Sequence, residues 1–180
     1  DSGLYHKRRL VPFGEYVPLE SVLRGLIAFF DLPMSSFSSG PATQAPLTVR
    51  GLRLAPSICY EIVYPDLVGA GAAGAELLLT VSNDTWFGAS IGPLQHLQMA
   101  RMRALETGRP LIRATNNGIS ALIDARGGIT VRGGQFTQEV IRGAVQPTTG
   151  LTPFARWGSW CALLLAVLPL VAAQRVRRPV

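Results

Sequence analysis

Lysine is almost absent from this sequence: sixteen of the seventeen basic residues are arginine, and the one lysine is Lys7. Cysteine is scarce as well. Cys59 and Cys161 are the only two, too few for a disulfide-stapled scaffold. The arginines are scattered, without zinc-finger spacing or interleaved aromatics. The pI near 10.1 therefore reads as affinity for anionic surfaces, lipid headgroups included, and no nucleic-acid partner is expected. No internal repeat and no signal peptide is visible, and the sequence opens on Asp1 as though inside a domain, so a piece of a longer protein is expected.

Apolar residues are what the chain has in excess, at 48% with a positive mean hydropathy. Much of the excess lies in WGSWCALLLAVLPLVAA, residues 157–173, which carries no charge and is followed by Arg175, Arg177 and Arg178. Its length is at the short limit for spanning a bilayer, for which about 17 to 25 residues are needed. Trp157 and Trp160 sit where an interfacial belt belongs, and the arginines mark a cytoplasmic end. The competing reading is a buried core helix with a basic end. If the run spans, the residues before it lie on the outer side of the membrane and Cys161 falls inside the bilayer. Cys59 is then left without a disulfide partner, either an inert thiol or a reactive one.

The middle of the chain alternates strand and helix signals, which indicates an α/β domain. Residues 47–61 read as two strands about an Arg50-Gly51 turn, with an irregularity at Pro56. Residues 66–75 read as a small-residue helix, and 77–81 as a strand buried on both faces. In 92–110, Leu94, Leu97, Met102 and Leu105 recur at helical spacing, and Gly108 and Pro110 end the helix. PLIRAT, ISALID and EVIRGAV supply further strands, with turns at 116–118 and 126–128. Residues 18–40 differ: Val22, Leu23, Leu26, Ile27, Phe29 and Phe30 make a short apolar helix before a Ser/Gly/Pro-rich loop with Met34 and Phe37. That segment is either ordinary core or an element that dips into a membrane interface.

Two residues carry chemistry. A desolvated lysine holds a compact charge beside a reacting atom, which an arginine fork does not match; flanked by Arg8 and Arg9, Lys7 can equally be solvated surface. Cys59, in SICYE, ends an apolar strand, where a bend presents its sulfur at the sheet edge beside Glu61. A thiolate needs nearby positive charge, and the lone lysine is a candidate source. SNDTWFG, residues 82–88, follows the buried strand; Asn83, Asp84, Trp86 and Phe87 are candidates for shaping a pocket, or form an ordinary capped turn. His96, on the strongest helix, reads as structural. No metal or cofactor is expected.

YHKRRLVPFGEYVPLE, SICYEIVYPDLV, the long run from LLLTVSNDTWFG to NNGISALID, and TTGLTPFARWG together resemble the apolipoprotein N-acyltransferase family of bacterial membrane enzymes over nearly the whole chain. The resemblance implies the C-terminal part of a nitrilase-type α-β-β-α sandwich over 1–150. Residues 151–180 would follow as a linker, one transmembrane helix and a basic cytoplasmic tail. It implies an inner-membrane enzyme with its catalytic domain on the periplasmic side. A phospholipid would be the acyl donor, a diacylated apolipoprotein the acceptor, and a thioester the intermediate. The family's Glu-Lys-Cys triad places its lysine on Lys7 and its nucleophile on Cys59. Glu15, Tyr60 and Glu61 match positions around the active site. The general-base glutamate belongs to a segment before the lysine that this sequence does not include, so the sequence alone is expected to be inactive. A nitrilase-like membrane-anchored amidase shares Lys7 and Cys59, and a non-catalytic membrane-anchored binding module is the third reading.

Overall fold

The structure is a computed structural model and describes residues 3–16 and 37–176. The apolar segment around Val22 to Phe30, with Met34, lies outside the described residues, as do Arg177 and Arg178. Six strands form one sheet in sequence order: β1 (Leu47–Val49), β2 (Leu52–Ile58), β3 (Leu77–Asn83), β4 (Leu111–Asn116), β5 (Ala121–Ile123) and β6 (Ile129–Arg132). β2, β3 and β4 run parallel, and the outer pairs are antiparallel. The parallel steps need crossovers, which α1 (Pro65–Ala72) and α2 (Gly92–Thr107) provide. Near the end of the described chain lie α3 (Pro153–Trp157) and α4 (Trp160–Val176).

The hairpin between β1 and β2 turns at Arg50 and Gly51, both with positive φ, as a tight two-residue turn requires. Pro56 causes no break. β1 reaches only to the Leu47–Leu54 pair, so at Pro56 the strand has β3 as its one neighbour and needs no second ladder donor. Register places Ala55, Leu78 and Leu111 on one face of the sheet. They pack with Val68 and Ala72 of α1 and with Leu97, Ala100 and Ala104 of α2, and this cluster is the core.

Three of the sequence readings change, the first by refinement and the other two by correction. Of the four apolar residues whose spacing marks α2 as a helix, only Leu97 is buried: Leu94, Met102 and Leu105 are exposed, and His96, Ala100, Arg103, Ala104 and Thr107 complete the buried face with Leu97. Small side chains let the helix lie close to the sheet, and the buried polar ones find partners there. β3 is buried on both faces only at its start, since Val81 and Asn83 face outward near its C-terminal end. EVIRGAV forms no strand; the last strand is β6, earlier in the chain, and the 139–145 segment runs beside it as irregular chain.

The apolar tail is helical but divided. Gly158, at φ 59°, separates α3 from α4, so Trp157 and Trp160 sit on different helices. At about 1.5 Å per residue the 17 residues of α4 reach about 25 Å, short of a hydrocarbon core of about 30 Å. Among the described residues no helix is long and apolar enough to cross a membrane.

Candidate active site

β2 runs straight into a 3₁₀ turn over Cys59–Val63, and the change of direction falls on Cys59, whose φ is +53°. A residue with a Cβ in this left-handed region is strained by about 1 to 3 kcal/mol, and surrounding contacts must hold it there. Two buried groups do so. Glu61, with no exposed surface, accepts a hydrogen bond from Ile58 N at 2.8 Å on one side of the cysteine. On the other side His96 Nε2 lies 3.2 Å from the Cys59 carbonyl oxygen.

Glu61 also carries the lysine segment. Its carboxylate accepts from Arg8 N at 2.6 Å, Arg9 N at 3.1 Å and the Tyr5 hydroxyl at 3.0 Å. Burial foremost, with the nearby Glu61 charge, raises the Tyr5 phenol and keeps it a donor, against the opposing pull of Arg8. Lys7 is thereby fixed over the cysteine bend, with its Nζ 2.6 and 2.7 Å from the two oxygens of Glu15. Glu15 Oε2 in turn accepts from Val11 N at 2.9 Å. Lys7, Glu15, Phe37, Cys59, Asn83 and Trp86 line one open cleft of about 490 Å³. The Cys59 sulfur lies 4.0 Å from the Asn83 carbonyl oxygen. A thiol, an ammonium group and an exposed tryptophan thus share one surface.

The other expected site residues fall elsewhere. Glu61 is not a wall of the cleft but the buried tie beneath it. Tyr60 packs edge-on against Tyr64 at 5.4 Å. Phe87 meets the His96 ring at 6.1 Å. Of the readings open for Asp84, pocket shaping fails: it is fully buried beneath the cleft and does not line it. Ser82 Oγ donates to its Oδ1 at 2.7 Å, His96 Nδ1 sits 2.9 Å from the same oxygen, and Arg113 Nη2 donates to Oδ2 at 2.7 Å. Burial opposes ionisation of Asp84, but the hydrogen bonds from His96 and Ser82 and the Arg113 charge outweigh it and hold the carboxyl below its ordinary range. His96, Arg113, Ser82 and Tyr5 were not singled out as site residues. Nothing in the spacing along α2 marks His96, because its partners Asp84 and Cys59 lie on other elements. Among the described residues no cluster of His, Cys, Asp and Glu is arranged to hold a metal.

Comparison with known protein families matches residues 2–154 to the carbon-nitrogen hydrolases. The chain is 63% identical to apolipoprotein N-acyltransferase of Azotobacter vinelandii over 98% of its own length and 34% of that protein's. It is 59% identical to apolipoprotein N-acyltransferase of Pseudomonas paraeruginosa over 98% of its length and 35% of that protein's. It therefore spans about a third of the length of the curated relatives it matches. Among solved structures, a carbon-nitrogen hydrolase from Helicobacter pylori superposes with a TM-score of 0.55 at 16% identity, covering 78% of this chain and 52% of the other. That likeness is one of fold.

Proposed function

We propose, from the premise that the chain belongs to the carbon-nitrogen hydrolase family, that it supplies the nucleophile and the oxyanion cation of a lipoprotein N-acyltransferase. The observation that carries the reading is Lys7 and Cys59 on one cleft, in a chain 63% identical to an apolipoprotein N-acyltransferase. Cys59 Sγ attacks the carbonyl carbon of a phospholipid ester. The S–C bond forms, the C–O bond breaks, and the lysophospholipid leaves with the proton taken from the thiol. The α-amino group of a diacylglyceryl-cysteine then attacks the thioester, giving the amide and returning a proton to sulfur. In both halves the developing oxyanion meets the Lys7 ammonium, held by Glu15.

The general base is assigned to a glutamate preceding Lys7 in the longer polypeptide. Neither described carboxylate near the cleft replaces it: Glu15 is paired with Lys7 through both oxygens, and Glu61 is buried among four donors. The partners proposed are a phospholipid, a diacylated apolipoprotein and the inner membrane, with the catalytic domain over 1–150 on the periplasmic side. The apolar helix supports the membrane part. Leu163, Leu164, Leu165, Val167 and Leu168 of α4 are all exposed, and the helix offers water no polar face along that run. We propose that α4, whose described 17 residues alone fall short of a span, seats in the bilayer together with the residues that flank it, as the last transmembrane element.

The test uses a polypeptide of the relatives' full length that carries this sequence. Cys59→Ser is expected to abolish both N-acylation of a diacylglyceryl-cysteine peptide and the trapped thioester, whereas Cys161→Ser leaves both intact. Normal turnover by the Cys59→Ser protein overturns the mechanism. Acyl groups released to water at the same rate with and without the amine, or hydrolysis of a small amide in place of transfer, would favour the membrane-anchored amidase or hydrolase reading.

A further inference from the structure

His96 and Asp84 lie twelve residues apart, on α2 and at the end of β3, and both are buried beneath the cleft. The strand, the turn and the returning helix bring them together. A backbone carbonyl only accepts, so the contact between His96 Nε2 and the Cys59 oxygen at 3.2 Å is satisfied by a protonated Nε2. Nδ1 lies 2.9 Å from Asp84 Oδ1, which also only accepts, so the two contacts together are satisfied with a proton on each ring nitrogen; Ser82 and Arg113 fix Asp84 in turn, and Arg113 Nη2 lies 3.3 Å from Nδ1. The carbonyl that accepts from His96 belongs to the peptide between Cys59 and Tyr60. Hydrogen bonding at its oxygen orients that amide and polarises its N–H.

We infer that His96 is a positioning residue for the nucleophile: held by Asp84, it fixes the strained Cys59 backbone and aims the Tyr60 amide N–H at the oxyanion, as a partner to Lys7. The inference rests on Cys59 being the nucleophile. The arrangement explains why a buried aspartate, arginine and histidine are gathered under a cleft that none of them lines. Their contribution reaches the reacting atoms through one peptide unit.

The experiment compares His96→Gln with His96→Asn in the full-length polypeptide. A glutamine amide nitrogen reaches the position of Nε2, whereas an asparagine amide reaches only that of Nδ1, so both occupy the site but only one retains the donor to Cys59. Single-turnover thioester formation is expected near wild type for His96→Gln and about ten- to hundredfold slower for His96→Asn, less than the loss of a direct oxyanion donor. The phospholipid concentration at half-saturation should be unchanged in both. Equal rates in the two variants overturn the inference. If the asparagine variant does not fold, Asp84→Asn takes its place, with slowed acylation expected and a wild-type rate overturning the inference. Turnover that persists in Cys59→Ser sinks the underlying mechanism instead, so the two failures are distinct.

Discussion

Lys7 is held by both oxygens of Glu15, and only 11% of its side chain is exposed. A planar guanidinium in the same place keeps the charge but moves its donors away from the point that an ammonium occupies. Lys7→Arg in the full-length polypeptide is therefore expected to slow thioester formation and transfer to the amine by about two to three orders of magnitude each, with lipid binding little changed. Wild-type rates in both steps would mean that the lysine is a compositional accident. Lys7 and Cys59 were legible in the sequence because each is rare in a chain with alternatives to hand: sixteen arginines for the charge, and no paired thiol for the cysteine. The sequence leaves Asp84 open between pocket lining and a capped turn because its neighbours Asn83 and Trp86 do line the cleft. At a strand end, adjacent side chains point to opposite faces, and which one turns inward is settled by His96 and Arg113, far off in sequence.

Elements were easier to foresee than their faces. The hairpin turn, the crossover helices and β4 follow from local chemistry: glycine at positive φ, proline at the first turn of each crossover helix, and a short apolar run between turns. The packed face of α2 did not follow, because Ala100 and Ala104 weigh little on any hydrophobic pattern yet have no exposed surface. Close approach is decided by what lies across the gap, and one sequence does not show that. The same tightness appears in the loop between β4 and β5. Gly118 lies against the Asp84 carboxylate, and a Cβ placed there would overlap it. Gly118→Ala is expected to destabilise the fold by about 1 to 3 kcal/mol, as overpacking does. By displacing Asp84 from His96 it should also slow acylation; thermal unfolding and single-turnover rates, measured on the same preparation, check both. An unchanged unfolding midpoint would show that the loop yields without strain.

For the molecule as a whole, the proposed topology puts the sheet and the cleft on one side of the membrane and the end of the chain on the other. A reporter fused after Val180 is expected to register the cytoplasm, and one inserted near Gly133 the opposite side. Both on the same side would make α4 a peripheral or core helix. A different consequence concerns synthesis. The amides of Arg8 and Arg9 close on a carboxylate that lies 53 and 52 residues further along the chain. On the ribosome, the segment bearing the lysine emerges well before its anchor exists. It stays unplaced until Glu61 has crossed the membrane as well and the loop between them closes. The cation and the thiol are therefore brought into register in one event, and a nascent chain paused before Glu61 has neither half of the cleft in place.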